Sequence, residues 1–345
     1  MKRSVFVLVA VVFVIALFAV GASAQGQAAP PIELKFAHWL STMHELHTDI
    51  YIPFAKEIEE KTKGRVKISI YPGEALGKAK DHYDMAVRGI ADITIHMPGY
   101  TPGRFPLSSV VDLPIQISSS RVGSLVFNDL YHKYLKSEYP GVKVLWSYTT
   151  DPFEFMMSKK TVKTLADLKG QRMRSGSPQM TVFLRDLGIS PINMPVSEVY
   201  ESLQRGLLDG AFTSFTALRS FKLFEVVRTV TVANVCCGPS VIIMNPKSWE
   251  KLPKDIQNIF DQVTSTLPEK TGANFDRYVA MSKDLLKKAG GEINEFPPQE
   301  MKLIMDRFSV SDERWIAEME AKGLPGRKVY EEARALAEKY SKQFK

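Results

Sequence analysis

Twice in this chain a helical run stops at a glycine and gives way at once to a strand-like segment, and the two turns are spelled almost alike. Arg88-Gly89-Ile90-Ala91-Asp92 joins the helical run Lys78 to Arg88 to the alternating segment Ala91 to His96. Arg205-Gly206-Leu207-Leu208-Asp209 joins the helical run Ser197 to Arg205 to a second strand starting at Leu208 to Phe212. Glycine suits such a place because left-handed backbone costs it nothing, which makes Gly89 and Gly206 helix caps. Upstream, Ile32 to Ala37 alternates apolar and polar residues, and Asp49 to Lys61 carries Ile52, Ala55 and Ile58 at helical spacing. Gly64 ends that helix and Arg65 to Tyr71 alternates again. Strand, helix, strand in that order predicts a parallel α/β layer. The repeated turn reads either as two equivalent lobes or as chance reuse of common turn residues, and the pattern alone leaves both open.

Between the repeats, Lys143 to Tyr148 and Phe155 to Ser158 read as strand segments that flank a crossing near residue 150. A short helix spans Leu165 to Leu168 and ends at Gly170, and Gln171 to Arg174 forms a strand edge. Ser177 then caps a helix whose first position is Pro178. Val241 to Met244 is wholly apolar, as in strands buried on both faces. From Pro253 onward the chain is mostly helical, broken at Pro297-Pro298, with Trp315 and Tyr330 as expected anchors.

At 345 residues the length suits two domains. Lys2 and Arg3 precede an apolar run from Val5 to Val20, and Ala22-Ser23-Ala24 follows with the small residues a signal peptidase accepts. The expectation is an export signal over residues 1–24, cleaved after Ala24, a short tether over Gln25 to Pro31, and a mature chain in the periplasm. The formal charge of +7 comes from 45 basic residues interleaved with 38 acidic ones, with no basic run interleaved with aromatics, which argues against a nucleic-acid partner.

Arg174 stands out on physical grounds. It ends a short strand three residues before a helix cap, where a guanidinium and free amides converge on one anion, though a surface arginine would read the same way. His38, His44 and His47 allow a different class, a secreted metal-dependent hydrolase, but no HExxH or second histidine cluster supports it, and no metal site or cofactor is expected. Cys236 and Cys237 are adjacent and cannot close a long loop; a vicinal disulfide between them would be a strained ring, so the alternative expected is two free buried thiols just before the apolar strand, where they could line a cleft. No nucleophile elbow or phosphate-cradling loop appears, so an enzyme is not expected.

The stretch ADLKGQRMRSGSP, followed by PINMPVSEVYESLQRGLLDG, resembles the solute receptors of tripartite ATP-independent periplasmic (TRAP) transporters, in the group named for dicarboxylate uptake. LKFAHWL, GRVKISIYPGEALG, VVDLPI and FEVVRTVTVANV extend the resemblance from about Leu34 to Ile259. It implies a two-lobed, clamp-like α/β binding protein with crossing strands and a long spanning helix. It also implies an organic carboxylate held between the lobes and handed to membrane permease subunits, and it turns the repeated turns into lobe equivalents. The expected lobes are 32–150 with about 241–280, and 151–240 with about 281–335, in a monomer. Arg174 falls on the family's carboxylate-pairing arginine.

Departures from the family pattern bear on the ligand. Phe153 stands where some relatives carry a second arginine, and DGAFT replaces DGQEN, putting Ala211, Phe212 and Thr213 in place of polar residues. Trp39 and Met97 likewise stand where polar residues occur. Hydroxyls of a sugar acid would lie unpaired against such walls, at about 1–3 kcal/mol each. The expected site is therefore Arg174 with Trp39, Phe153, Phe212, Thr213 and Met97, around a monocarboxylate with an aromatic or hydrophobic body. The alternatives are a dicarboxylate, a sugar acid, or a sensory role in which the ligand state passes to a membrane receptor.

Overall fold

The computed structural model describes residues 30–344; the expected export signal and its cleavage point lie outside the described residues. In chain order the strands are β1 (Ile32–Ala37), β2 (Val66–Tyr71), β3 (Ile93–His96), β4 (Lys143–Thr149), β5 (Phe153–Met157) and β6 (Arg172–Ser175). They continue as β7 (Ser190–Asn193), β8 (Gly210–Ser214), β9 (Thr229–Val232), β10 (Pro239–Met244) and β11 (Glu292–Glu295). One sheet has the order β2-β1-β3-β10-β4 and the other β11-β9-β5-β8-β6-β7, with helices packed on both, so the fold is the expected two-lobed α/β type. β10 runs antiparallel between β3 and β4, and all six of its residues are buried, as its apolar sequence requires.

The repeated turns occupy matching places. Gly89 and Gly206 both take left-handed backbone, at φ 73° and 69°. Asp92 donates its backbone amide to the Lys35 carbonyl of β1 at 3.0 Å, and its carboxylate accepts the Lys35 amide at 2.7 Å. Asp209 does the same with Arg172 of β6, its carboxylate accepting the Arg172 amide at 2.9 Å. β1 then runs parallel to β3, pairing Ala37 with Thr94, and β6 runs parallel to β8, pairing Arg174 with Ala211.

The chain crosses from the first sheet to the second between β4 and β5, and back between β9 and β10. The crossings are bonded to each other: Thr150 donates its amide to the Gly238 carbonyl at 3.0 Å, and Phe153 donates to Cys236 at 2.8 Å. The helix Leu267–Lys288 spans both lobes, touching β4 and the helix Ser120–Leu130 on one side and β11 and the helix Phe215–Ser220 on the other. Its Asp276 accepts the Ser120 and Arg121 amides at 2.8 and 3.0 Å, and Gly272 permits the approach, since a Cβ there would lie 2.6 Å from the Ser120 carbonyl oxygen.

Two features correct the sequence reading. The C-terminal segment expected in the second lobe to about residue 335 divides between the lobes: Ile304 and Phe308 enter the second core, whereas Trp315, Ile316, Val329 and Ala333 enter the first. A 24-residue helix, Pro298–Ala321, is long enough to carry the chain from one core to the other. The cysteines do not line the cleft; Cys236 packs in the second core and Cys237 in the first, both buried free thiols.

Candidate ligand cleft between the lobes

β6 is short because the chain must turn at once into the helix Pro178–Asp186, whose cap Ser177 accepts the Met180 amide at 3.1 Å. That turn buries the Arg174 side chain where the lobes meet. Arg174 is 1% exposed, and donates Nε to the Met194 carbonyl at 3.0 Å and Nη1 to the Phe212 carbonyl at 3.2 Å. Nη2 approaches the Tyr100 hydroxyl of the other lobe at 3.5 Å. Among the described residues no carboxylate lies within salt-bridge distance of this cation. Burial holds its pKa below the ordinary arginine value, with Tyr100 and Asp112 pulling the other way. Burial also pushes Asp112 up to about 7, against the Ser177 hydroxyl and the Arg174 charge. A buried cation without a paired anion is costly, so the site is built to receive one. Gly176 lies against the guanidinium: a Cβ there would sit 2.9 Å from both Nη1 and Nη2.

The cleft in front of Arg174 is walled by Trp39, Met97 and Tyr100 from the first lobe and by Phe153, Thr213 and Phe221 from the second. It holds about 40 Å³ of water-accessible space. That is well below the about 150 Å³ cavity that takes benzene, so the cleft as it stands is too tight for a ring. Contacts across the cleft hold it shut. The Val196 amide donates to the Tyr100 hydroxyl at 3.0 Å, and Trp39 stacks on Phe221 with centroids 6.1 Å apart. Glu45 accepts the Ser220 hydroxyl at 2.6 Å and Arg219 Nη1 at 3.1 Å. Gly99 backs directly on Gly176, leaving no room for a side chain.

Five of the six residues named from sequence meet here: Arg174, Trp39, Met97, Phe153 and Thr213. Phe212 does not. Its ring packs in the second core against Phe153, Phe155 and Phe183, at centroid distances of 5.6, 4.9 and 5.8 Å. Successive strand residues face opposite sides, so Thr213 and Phe212 cannot both face the cleft; what Phe212 gives Arg174 is its carbonyl. The sequence reading missed Tyr100, Tyr148, Phe221 and Phe275, which join the wall from four separate segments with no shared local pattern. His44 also lines the cleft, while His38 Nε2 pairs with His47 Nδ1 at 2.9 Å away from it. Burial and the neighbouring histidines drive His38 down to about 3. Among the described residues no group of three or more His, Cys, Asp or Glu is placed to hold a metal.

Residues 36–317 match the model of the bacterial extracellular solute-binding proteins, family 7. The chain belongs to that family. As a family 7 receptor it is a TRAP solute-binding protein of the periplasm that works with a membrane permease, and it is not an enzyme. It resembles a TRAP solute-binding protein from Rhodoferax ferrireducens T118, solved with copurified benzoate, at 27% identity and TM-score 0.87, over 91% of this chain and 100% of that one. A Bordetella bronchiseptica receptor with bound (R)- and (S)-mandelate matches at 28% identity and TM-score 0.84, over 90% and 100% of the two chains. The 2,3-diketo-L-gulonate-binding periplasmic protein YiaO of Escherichia coli K12 is 26% identical over 68% of this chain and 73% of its own length. Among the described residues of this family 7 receptor, no helix is long and apolar enough to cross a membrane.

Proposed function

We propose that this receptor captures an aromatic monocarboxylate in the cleft between its lobes and delivers it to its permease. The observation that carries the reading is Arg174, a buried guanidinium held by two carbonyls, with no paired carboxylate among the described residues, at the end of a cleft walled by aromatic side chains. The carboxylate takes Nη1 and Nη2 as a charge-assisted pair, and the ring lies between Trp39 and Phe153 with Met97 and Thr213 beside it. Benzoate and mandelate in the similar receptors support this choice of ligand. The bodies that close are the two sheets with their helices, 32–150 with 241–280 and 151–240 with the chain up to about residue 310. The receptor acts as a monomer, cleaved after Ala24.

A thermal-shift screen of benzoate, mandelate, succinate and gluconate, followed by titration calorimetry, tests the reading. A ligand at 100 times its Kd adds about 2.7 kcal/mol to stability, a readily measured shift. Stabilisation by the two aromatic acids supports the proposal; stabilisation by succinate or gluconate alone replaces it with a dicarboxylate or sugar-acid receptor.

A further inference from the structure

The cleft carries two hydrogen-bond donors that the carboxylate clamp does not use. His44 Nδ1 accepts the Leu46 amide at 3.1 Å, which fixes the remaining ring proton of a neutral imidazole on Nε2, and no acceptor among the described residues meets that N–H. Burial, the largest influence, holds His44 below its ordinary pKa, so the neutral form is the one present. Trp39 Nε1 is the second donor: the residue is 6% exposed, lines the same cleft, and its indole N–H has no partner among the described residues. Both rings flank Phe221, Trp39 stacked at 6.1 Å and His44 edge-on at 5.7 Å. From Arg174 the wall runs through Tyr100 and Trp39 to Phe221 and His44, so the clamp and His44 lie at opposite ends of one aromatic surface. A fully buried donor without an acceptor, as Trp39 Nε1 is, costs about 1–3 kcal/mol, and a ligand that supplies the acceptor recovers it, while His44 Nε2 offers a second donor to the same ligand.

We propose that His44, with Trp39 beside it, is a specificity residue that selects aromatic acids bearing a neutral oxygen substituent, a hydroxyl or a carbonyl, on the part of the ring away from the carboxylate. The inference rests on the carboxylate-receptor reading above. Both unpaired groups donate, so the substituent must accept. Neither is charged, and Arg219, the cation whose charge acts on His44, is already paired with Glu45, so a second carboxylate gains no counter-ion there. Selectivity of this kind comes from the site's own unpaired polar groups, which penalise an analogue that lacks the oxygen.

The test is calorimetric titration of the purified receptor with benzoate, 3-hydroxybenzoate, 4-hydroxybenzoate and terephthalate, repeated with His44→Phe and His44→Gln. In the wild type at least one hydroxybenzoate binds about tenfold more tightly than benzoate, and terephthalate binds no better than benzoate. His44→Phe lowers affinity for the preferred hydroxybenzoate about tenfold more than it lowers affinity for benzoate. His44→Gln keeps an amide N–H and retains part of the preference, which holds the test open if the phenylalanine variant fails to fold. Tight benzoate binding with no gain from either hydroxyl, or a preference that survives His44→Phe, overturns the role of His44 and leaves the receptor reading intact. Failure of all four acids to bind overturns both.

Discussion

Ala37 and Arg174 hold the same place in the two lobes. Each lies two residues beyond the strand position whose amide is taken by the aspartate of the repeated turn, Asp92 in one lobe and Asp209 in the other. Each pairs in parallel with the strand that follows the turn. In the first lobe the position is a small residue in an apolar cluster with Met85 and Ala91. In the second it is the buried cation. Two residues further on the assignment reverses: Trp39 walls the cleft, whereas its counterpart Gly176 is bare beneath the guanidinium. At these equivalent positions one scaffold used twice thus supplies charge from one copy and an aromatic wall from the other, and Phe153 and Phe221 of the charged copy complete that wall.

The comparison breaks most sharply at Arg174. Arg174→Ala is expected to cost benzoate binding about 2–5 kcal/mol, a loss of thirtyfold or more by calorimetry, and undiminished binding would remove the charged half of the contrast. Gly176→Ala is next. Its methyl group would land 2.9 Å from both terminal nitrogens, so the guanidinium must move, and about a tenfold weaker Kd is expected with little change in the unfolding midpoint. A third measurement tests the equivalence itself. Asp92→Ala and Asp209→Ala each remove a carboxylate from the amide of the adjacent strand, and each is expected to cost about 1–3 kcal/mol in urea unfolding. A cost in only one lobe would mean that the two turns share spelling and not structure.

What could be read from sequence was what neighbours in the chain decide. The capping role of Ser177, the left-handed Gly89 and Gly206, and the doubly buried β10 all follow from a few adjacent residues, and all are present. The place of Arg174 between a strand end and a helix cap was legible locally, but its expected role came from the resemblance, since a surface arginine would read the same way. Phe212 was misplaced because the side a strand residue faces depends on which sheet it joins and in what register. Tyr100 and Phe221 were missed for a related reason: they meet only when the lobes close, 121 positions apart in the chain. The tail was assigned to one lobe because no composition change marks the point, between Phe308 and Trp315, where one helix passes from one core to the other.

The smallest expected effect concerns the crossing, where the two halves cease to be comparable. Asp151 and Glu154 are buried there, and burial pushes them up to about 7 and about 8, against hydrogen bonds from Thr216 and from the Ala233 and Asn234 amides. Between about pH 4 and pH 8 the folded chain therefore holds protons that the unfolded chain has released. Stability is greatest at the acid side of that window and declines as the pH rises through it. Glu154→Gln should flatten the decline, read as thermal midpoints by circular dichroism from pH 5 to pH 8. A midpoint that rises across the window would show that these carboxylates stay ionised in the folded state.

Cys236 and Cys237 are neighbours in the chain but belong to different solid bodies, one seated in each core. Whatever rotation carries the lobes from open to shut must be accommodated on this strand by the few backbone torsions around a single peptide link. The antiparallel segment near Thr150, tied to it by hydrogen bonds, shares the same short bending zone. Two further links, the helices Leu267–Lys288 and Pro298–Ala321, also pass between the lobes, so a swing of the clamp bends this strand pair under the restraint of two long helices.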